Sequence, residues 1–351
     1  MSRPNKAIYV DENAKFSVRD DIRHDDIAAN ELLIETSYTG VNPADIRHST
    51  HLGIKSTVVG YDYSGRVVKA PSGSKFKEGE VVAGYTPSSM GRPTKYGAHQ
   101  SYLVVPEDYV FRVPANVPEP HAAALTVVTM TAADVIFNLF KFPIPTSPGN
   151  FTAPILIWGA SSGVGISAVQ FAKASGCKNI IATASPSRHS LLKSLGVTHT
   201  FDYNSPTVVE DIKFTVEALG KGAITHALDA VGTMVPPTAA EMVSKSVSDS
   251  TELASVILAE AKFKMPVATT KDAWRIQPPG APGPIDIPAR PADHKRAWEA
   301  LNWAVENYGK GFELPSVNVL DITAEKAIEE LWNVAEGKRG FGKVVFTHPL
   351  K

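Results

Sequence analysis

The segment Gly159-Ala160-Ser161-Ser162-Gly163-Val164-Gly165 follows the apolar run PILIWG (154–159) directly and passes into ISAVQFAKAS, which has helical spacing. A short run without polar residues is what a strand buried on both faces of a sheet requires. Glycines at a strand-to-helix turn let backbone N–H groups close on a pyrophosphate, and the helix start adds the favourable end of its dipole. The spacing GxxxGxG is a variant of the GxGxxG fingerprint, and a plain tight turn uses the same residues. Context separates the two. Here a strand precedes, a helix follows, and the next apolar run, NIIATAS (179–185), arrives where a second strand should. The segment is read as a dinucleotide-binding turn.

The end of that second run carries the choice of nucleotide. An acidic residue about 20 positions beyond the glycines would hold a ribose 2′-hydroxyl. Ser185-Pro186-Ser187-Arg188 stands there instead, with two hydroxyls, one guanidinium and no acid. That set suits a 2′-phosphate and favours NADPH. The plainer alternative is that Ser187 caps the following helix and Arg188 is solvated. THALDAVG (225–232) reads as a fourth strand ending in a small-residue turn at the carboxyl edge of the same sheet, the edge at which ligands bind.

The elements that must carry these residues follow from the rest of the 351 residues. Up to about residue 120, short β-rich runs (KAIYV, ELLIETSYTGV, YSGRVV, EVVAGY, YLVVP) alternate with turn signals, as in an antiparallel or barrel-like domain. From Ile155 strands alternate with helical stretches, which implies βαβ units and a parallel sheet. The proline-rich segments 141–154 and 275–291 bracket this part. HKRAWEALNWAVENYG and AEKAIEELWNVAEG then read as glycine-ended helices before the strand KVVF.

Composition removes several functions. Lys plus Arg is 35 against 36 Asp plus Glu, a net charge of -1, without the basic excess of a nucleic-acid binder. The hydrophobic fraction of 43% with 20% charged residues is that of a packed globular protein. The single cysteine, Cys177, supplies neither an intrachain disulfide nor a multi-thiolate zinc site. The start, MSRPNKAIYVDENAKF, lacks the apolar stretch of a secretory signal, so a cytoplasmic protein is expected. Ala122 to Phe140 is interrupted by Thr126, Thr129, Thr131, Asp134 and Asn138 and reads as a buried amphipathic helix, not a membrane span.

The motifs VNPADIR (41–47), GYDYSGRVV (60–68), FKEGEVVAGY (76–85), YGAHQSYLVVP (96–106), MTAADV (130–135), GASSGVG and LDAVG, in this order, resemble the medium-chain dehydrogenase/reductase superfamily over essentially the whole chain. Within it, ATASPSRHSLLKSLGVTHTFDY is especially similar to the zinc-independent fungal enoyl reductases that act in trans with polyketide synthases, of the lovastatin enoyl reductase kind, and to quinone-reductase-like relatives. The resemblance implies an α/β protein: a GroES-like β-rich catalytic domain over 1–125, a Rossmann doubly wound parallel-sheet domain over 126–285 that binds NADPH, and a return to the catalytic domain over 286–351. It carries cofactor contacts onto Asp45, Arg47, Gly159, Ser161, Ser162, Gly163, Val164, Gly165, Ser185, Ser187, Arg188, Tyr203, Val231, Ile257, Leu258 and Lys343, and places Thr131 beside the nicotinamide. Without the resemblance, Thr131 reads as a helix-interior threonine bonded to its own backbone.

Zinc-dependent members carry Cys, His and Glu where this chain has Asn42, Tyr61 and Asp62, and the region 86–101 holds none of the cysteines of a structural zinc lobe. No metal is expected. Without a Lewis acid, hydride transfer is easiest to a carbon conjugated with a carbonyl, where charge moves onto oxygen. The resemblance then implies reduction of the C=C bond of an enoyl thioester, held by a carrier protein as a polyketide or free as a small molecule. An NADPH-dependent aldehyde or quinone reductase and a non-catalytic NADPH-binding protein are the alternatives, and both monomer and homodimer occur in such families.

The close homologues have lysine where this chain has Arg47. Arginine stays protonated, so Arg47 is expected to position and polarise, not to donate a proton. A surface ion pair with Asp45 is its plainer reading. Water, Tyr63 or Thr131 then assists protonation, or the proton arrives uncatalysed. His48 and His51 read as a solvated loop. Met265 and Trp274 could line an acyl pocket or belong to the core.

Overall fold

The computed structural model describes residues 5–24, 27–267 and 271–351. The chain divides into two units, one of Met1–Val127, Asp272–Arg290 and Pro315–Lys351, the other of Val128–Lys271 and Pro291–Leu314.

The first part of the chain forms β1 (Ala7–Val10), β2 (Phe16–Arg19), β3 (Glu31–Gly40), α1 (Ala44–His51), β4 (Thr57–Val58), β5 (Asp62–Lys69), β6 (Val81–Tyr85), β7 (Tyr102–Pro106) and β8 (Val110–Arg112), and α2 (Glu119–Ala133) begins within it. Strands β2, β1 and β4 make a small antiparallel sheet. The ten-residue β3 centres the larger sheet: β5 runs along one of its edges, while β7 pairs with residues 31–35. Alternation sets its faces, with Leu32, Ile34 and Thr36 buried and Glu35 exposed.

The second unit holds a π-helical stretch, Asp134–Leu139, that continues α2, then β9 (Ile155–Trp158), α3 (Gly163–Ala174), β10 (Ile180–Thr183), α4 (His189–Leu195), β11 (His199–Phe201), α5 (Val208–Leu219), β12 (His226–Asp229), α6 (Ala239–Ser246), β13 (Glu252–Ser255) and β14 (Phe263–Lys264). The six strands are all parallel, in the order β11-β10-β9-β12-β13-β14. That is the doubly wound order, with the chain reversing direction across the sheet beside β9. All four residues of β9 are buried, as helices on both faces require. Glu119–Leu139 is apolar and long enough to cross a membrane but is 83% buried inside the protein. It is buried nearly all round and is not the amphipathic helix expected. Cys177, 6% exposed, joins Phe151 in an isolated bridge, and burial pushes its thiol up to about 12.

The remaining elements are the antiparallel hairpin of β15 (Trp274–Ile276) and β16 (Ile285–Ile287), α7 (Pro291–Glu306), β17 (Val317–Leu320), α8 (Ala324–Ala335) and β18 (Lys343–Thr347). Strand β18 pairs with the end of β3 and returns the chain to the first sheet, where α8 packs Ala327 and Leu331 against Ile8, Ile46 and Phe346.

The C-terminal boundaries differ from the expected 126–285 and 286–351. The hairpin belongs to the first unit, because Met90 N donates to Arg275 O and Gln277 N to Leu52 O, both at 2.9 Å. Helix α7 belongs to the second, held by Asn138 Nδ2 on Asp293 O at 2.9 Å and by Arg296 on Phe142 O at 3.2 Å. Hydrogen bonds to main-chain carbonyls of this kind leave no trace in local composition.

Candidate functional site

In the second unit the glycine turn leaves β9 at the carboxyl edge of the sheet. Gly159 has φ +75°, and a Cβ on it would lie 1.9 Å from Val231 Cγ2. A Cβ on Gly165 would lie 2.6 Å from Gly159 O, so the first turn of α3 packs directly on the strand end. Ser162 has a role the sequence reading did not assign. Its Oγ accepts from Gly165 N at 3.0 Å as the N-cap of α3 and donates to Ala230 O at 2.9 Å. Ser161, Gly163 and Val164 are half-buried around the same helix start.

Two residues that sequence reasoning missed shape the neighbouring loops. Asp229, wholly buried at the end of β12, accepts from Val231 N at 3.0 Å and Gly232 N at 2.9 Å with Oδ1, and from Ser255 Oγ at 2.9 Å with Oδ2. Ser255 Oγ also accepts from Ile257 N at 3.3 Å. One buried carboxylate thereby ties the loop carrying Val231 to the loop carrying Ile257 and Leu258. Val231 and Leu258 are 40% and 52% exposed, so two apolar side chains stand at the surface of this edge. Legible in the sequence was the small-residue turn after Asp229; its pairing with a serine one strand away was not.

Ser185 and Arg188 are half-buried, Ser187 is exposed, and Tyr203 is 45% exposed. Residues 186–188 form a short 3-10 turn, and the N-cap of α4 is Arg188, without a side-chain cap. Ser187 is therefore not the cap of that helix. Thr131 lies half-buried in α2, just before the π-helical stretch. There Asp134 accepts from Asn138 Nδ2 at 2.9 Å and from Val267 N at 2.8 Å, which fixes the chain just after the half-buried Met265.

The first unit gathers a buried polar cluster. Asn42 N donates to Asp45 Oδ2 at 2.8 Å, and the same oxygen pairs with His99 Nε2 at 3.1 Å. The ring continues through Nδ1 to Thr39 Oγ1 at 2.8 Å, and Thr39 to His348 Nε2 at 2.9 Å. Asp45 is thus not in an ion pair with Arg47, whose guanidinium donates to Ala335 O at the end of α8, 2.9 Å away. A cation at that helix terminus complements its dipole.

Asn42 Nδ2 donates to Asp62 Oδ2 at 2.9 Å, Val127 N donates to Asp62 Oδ1 at 2.7 Å, and Lys343 Nζ donates to Asn42 Oδ1 while lying 3.5 Å from Asp62 Oδ2. The Lys343 side chain is 8% exposed and Asp62 is 0% exposed. Burial lowers the Lys343 ammonium and raises the Asp62 carboxyl from their ordinary ranges, and each opposes the other's shift by its charge.

A third group surrounds Tyr61. Its hydroxyl meets His48 Nδ1 at 2.7 Å and accepts from Ser88 Oγ at 3.3 Å. The Trp274 ring lies 5.6 Å from the His48 ring, and the buried Trp274 Nε1 has no hydrogen-bond partner among the described residues. His48 is not in a solvated loop: it sits in α1, half-buried, and burial brings it down to about 4. Tyr63, by contrast, is wholly buried with no partner for its hydroxyl among the described residues, and burial holds it well above the ordinary phenol range.

Residues 28–115 match the family described as alcohol dehydrogenase GroES-like domain, and residues 163–256 that described as zinc-binding dehydrogenase. The trans-enoyl reductase himH of Aspergillus japonicus is 34% identical over 187 residues, which are 52% of this chain and 54% of that protein. The trans-enoyl reductase TOXD of Cochliobolus carbonum is 32% identical over 216 residues, 60% of this chain and 68% of TOXD. The chain belongs to the medium-chain dehydrogenase/reductase superfamily. The match spans about half the length of himH. The solved CurK enoyl reductase shares the superfamily fold with a TM-score of 0.71 at 19% identity, over 98% of this chain and 99% of that one. Of the two units, the parallel-sheet one is the nicotinamide-cofactor domain of this superfamily.

Zinc, named in one family description, does not fit the residues present. The superfamily's ligand positions hold an amide, a phenol and a carboxylate, and the Lys343 ammonium stands 3.5 Å from the carboxylate, where a divalent cation would meet a like charge. Among the described residues no group of three or more His, Cys, Asp or Glu is placed to hold a metal ion.

Proposed function

We propose that the protein reduces the C=C bond of an α,β-unsaturated thioester with NADPH, acting in trans on a polyketide chain held by a carrier protein. The observation that carries this reading is the Lys343–Asn42–Asp62 cluster. Residues that would polarise an alcohol or ketone through a metal are engaged with a buried ammonium instead. Reduction is then easiest where the substrate delocalises the arriving charge itself, as an enoyl thioester does into its enolate. The fungal relatives described as trans-enoyl reductases favour the same substrate class.

NADPH, which supplies the hydride when bound, is held in this reading by the turn at Gly159–Gly165, with Ser185 and Arg188 on the 2′-phosphate. Removing one charge-assisted hydrogen bond costs about 1.5–3 kcal/mol, so Arg188→Ala raises KM for NADPH roughly 10- to 100-fold and leaves KM for NADH within about twofold. Equal effects on both cofactors contradict the assignment. The substrate class is tested by following NADPH oxidation with a crotonyl thioester, a long polyenoyl thioester, a simple aldehyde and a quinone. Turnover of both thioesters is expected, faster with the longer one. Turnover of the aldehyde or the quinone alone overturns the enoyl reading.

A further inference from the structure

We propose that Asp229 is a positioning residue for the nicotinamide half of the cofactor, which it serves by holding the loops after β12 and β13 in a single arrangement. This rests on the NADPH reading above. All the groups concerned lie in the parallel-sheet unit. Its strand order reverses beside β9, and a doubly wound sheet binds a dinucleotide across that point. Ser185 and Arg188 follow β10 on one side, and the loops carrying Val231 and Ile257 follow β12 and β13 on the other. With the 2′-phosphate held at the end of β10, the nicotinamide half falls to the β12 side.

A continuous set of bonds and contacts makes these loops one body. In the glycine turn, Ser162 Oγ donates to Ala230 O at 2.9 Å, next to Asp229. Asp229 Oδ1 takes Val231 N at 3.0 Å and Gly232 N at 2.9 Å, while Oδ2 takes the Ser255 hydroxyl at 2.9 Å. A carboxylate suits this place because it only accepts, so Ser255 donates to it and keeps a lone pair for Ile257 N at 3.3 Å. Gly232, at φ +62°, would set a Cβ 2.6 Å from Ile257 Cγ2, so the two loops meet where no side chain fits. Asp229 and Ser255 are each 0% exposed and cannot touch a ligand. What reaches the surface is what they hold: Val231 and Leu258 are exposed and Ile257 is half-buried. Loops already held in one arrangement need no ordering when a ligand binds; loops released by loss of Asp229 must be ordered then, which weakens binding.

The test titrates the intact protein with NADPH and, separately, with adenosine 2′,5′-bisphosphate, which carries the adenosine half alone, and reads both Kd values by calorimetry. Asp229→Ala leaves two main-chain N–H groups and the Ser255 hydroxyl without their acceptor, so it weakens NADPH at least about tenfold and leaves the bisphosphate within about twofold. Asp229→Asn keeps Oδ1 for Val231 N and Gly232 N and can donate Nδ2 to Ser255 Oγ, so it restores NADPH affinity to within about threefold of wild type. A residue with a merely structural role would weaken both ligands alike. Equal losses in Asp229→Ala, or an unchanged Kd for NADPH, therefore overturn the positioning role while leaving the NADPH reading intact. If Asp229→Ala does not fold, Ser255→Ala must show the same split between the two ligands, and its absence overturns the proposal equally. A wild type that binds neither ligand overturns both.

Discussion

Lys343→Met lowers the unfolding free energy by about 3–5 kcal/mol, the range for leaving one member of a buried ion pair without its partner. The Asp62 carboxylate would keep its bonds from Asn42 Nδ2 and Val127 N but lose the only cationic side chain within 4 Å of it among the described residues. Neutral donors offset burial of a full charge only in part. The double variant Lys343→Met/Asp62→Asn removes both charges and keeps an acceptor for Val127 N, so it is expected to recover more than about 1 kcal/mol of the loss, a coupling that a double-mutant cycle reads directly. Acid sharpens the comparison. Burial raises the Asp62 carboxyl, and loss of the ammonium raises it further. A group whose folded pKa lies above its unfolded one contributes stability below the unfolded value and loses it as pH rises through the folded value. The deficit of Lys343→Met relative to wild type therefore shrinks as pH falls toward the ordinary carboxylate range. Urea unfolding at several pH values measures it, and a variant within about 1 kcal/mol of wild type at neutral pH removes the ion pair from the account of this unit's stability.

Gly159→Ala is expected to be nearly as severe and to act on the cofactor. An alanine at φ +75° costs roughly 1–2 kcal/mol, and a methyl group set 1.9 Å from Val231 Cγ2 adds an overpacking cost of about 1–3 kcal/mol. Either Val231 or the turn must shift, and the turn carries the start of α3 on which a pyrophosphate would rest. We expect NADPH affinity to fall at least tenfold, measured by the quenching or enhancement of cofactor fluorescence on titration, with a matching loss of thermal stability. Adding Val231→Ala removes the clash but not the backbone strain, so it restores part of both losses. If Gly159→Ala binds NADPH as the wild type does, the turn is not the pyrophosphate site.

The parts of this protein that were legible in its sequence are those whose physics is local. The run ILIW is apolar throughout because β9 is covered on both faces, and glycine must follow because the chain turns where no Cβ fits. Side-chain chemistry assembled across the chain was not legible. Lys343 meets Asn42 over 301 positions, and Asp229 meets Ser255 over 26. His48 looked solvated because its neighbours are polar, yet α1 turns it onto Tyr61, thirteen residues ahead. The substitution of Asn42, Tyr61 and Asp62 for a ligand set was visible in the sequence, and Lys343 was read there as a cofactor contact; that it stands against the Asp62 carboxylate came into view only with the pairing of β18 and β3.

Cys177 gives this protein an internal clock. Its thiol is the single one in the chain, buried against the strand-like segment at Phe151 and held protonated far above neutrality, so alkylating reagents reach it only when that part of the parallel-sheet unit opens. The rate of labelling therefore times the opening of the cofactor unit alone, with no engineered probe. Slower labelling in the presence of NADPH, beside an unchanged rate with substrate alone, would separate the protection each ligand gives.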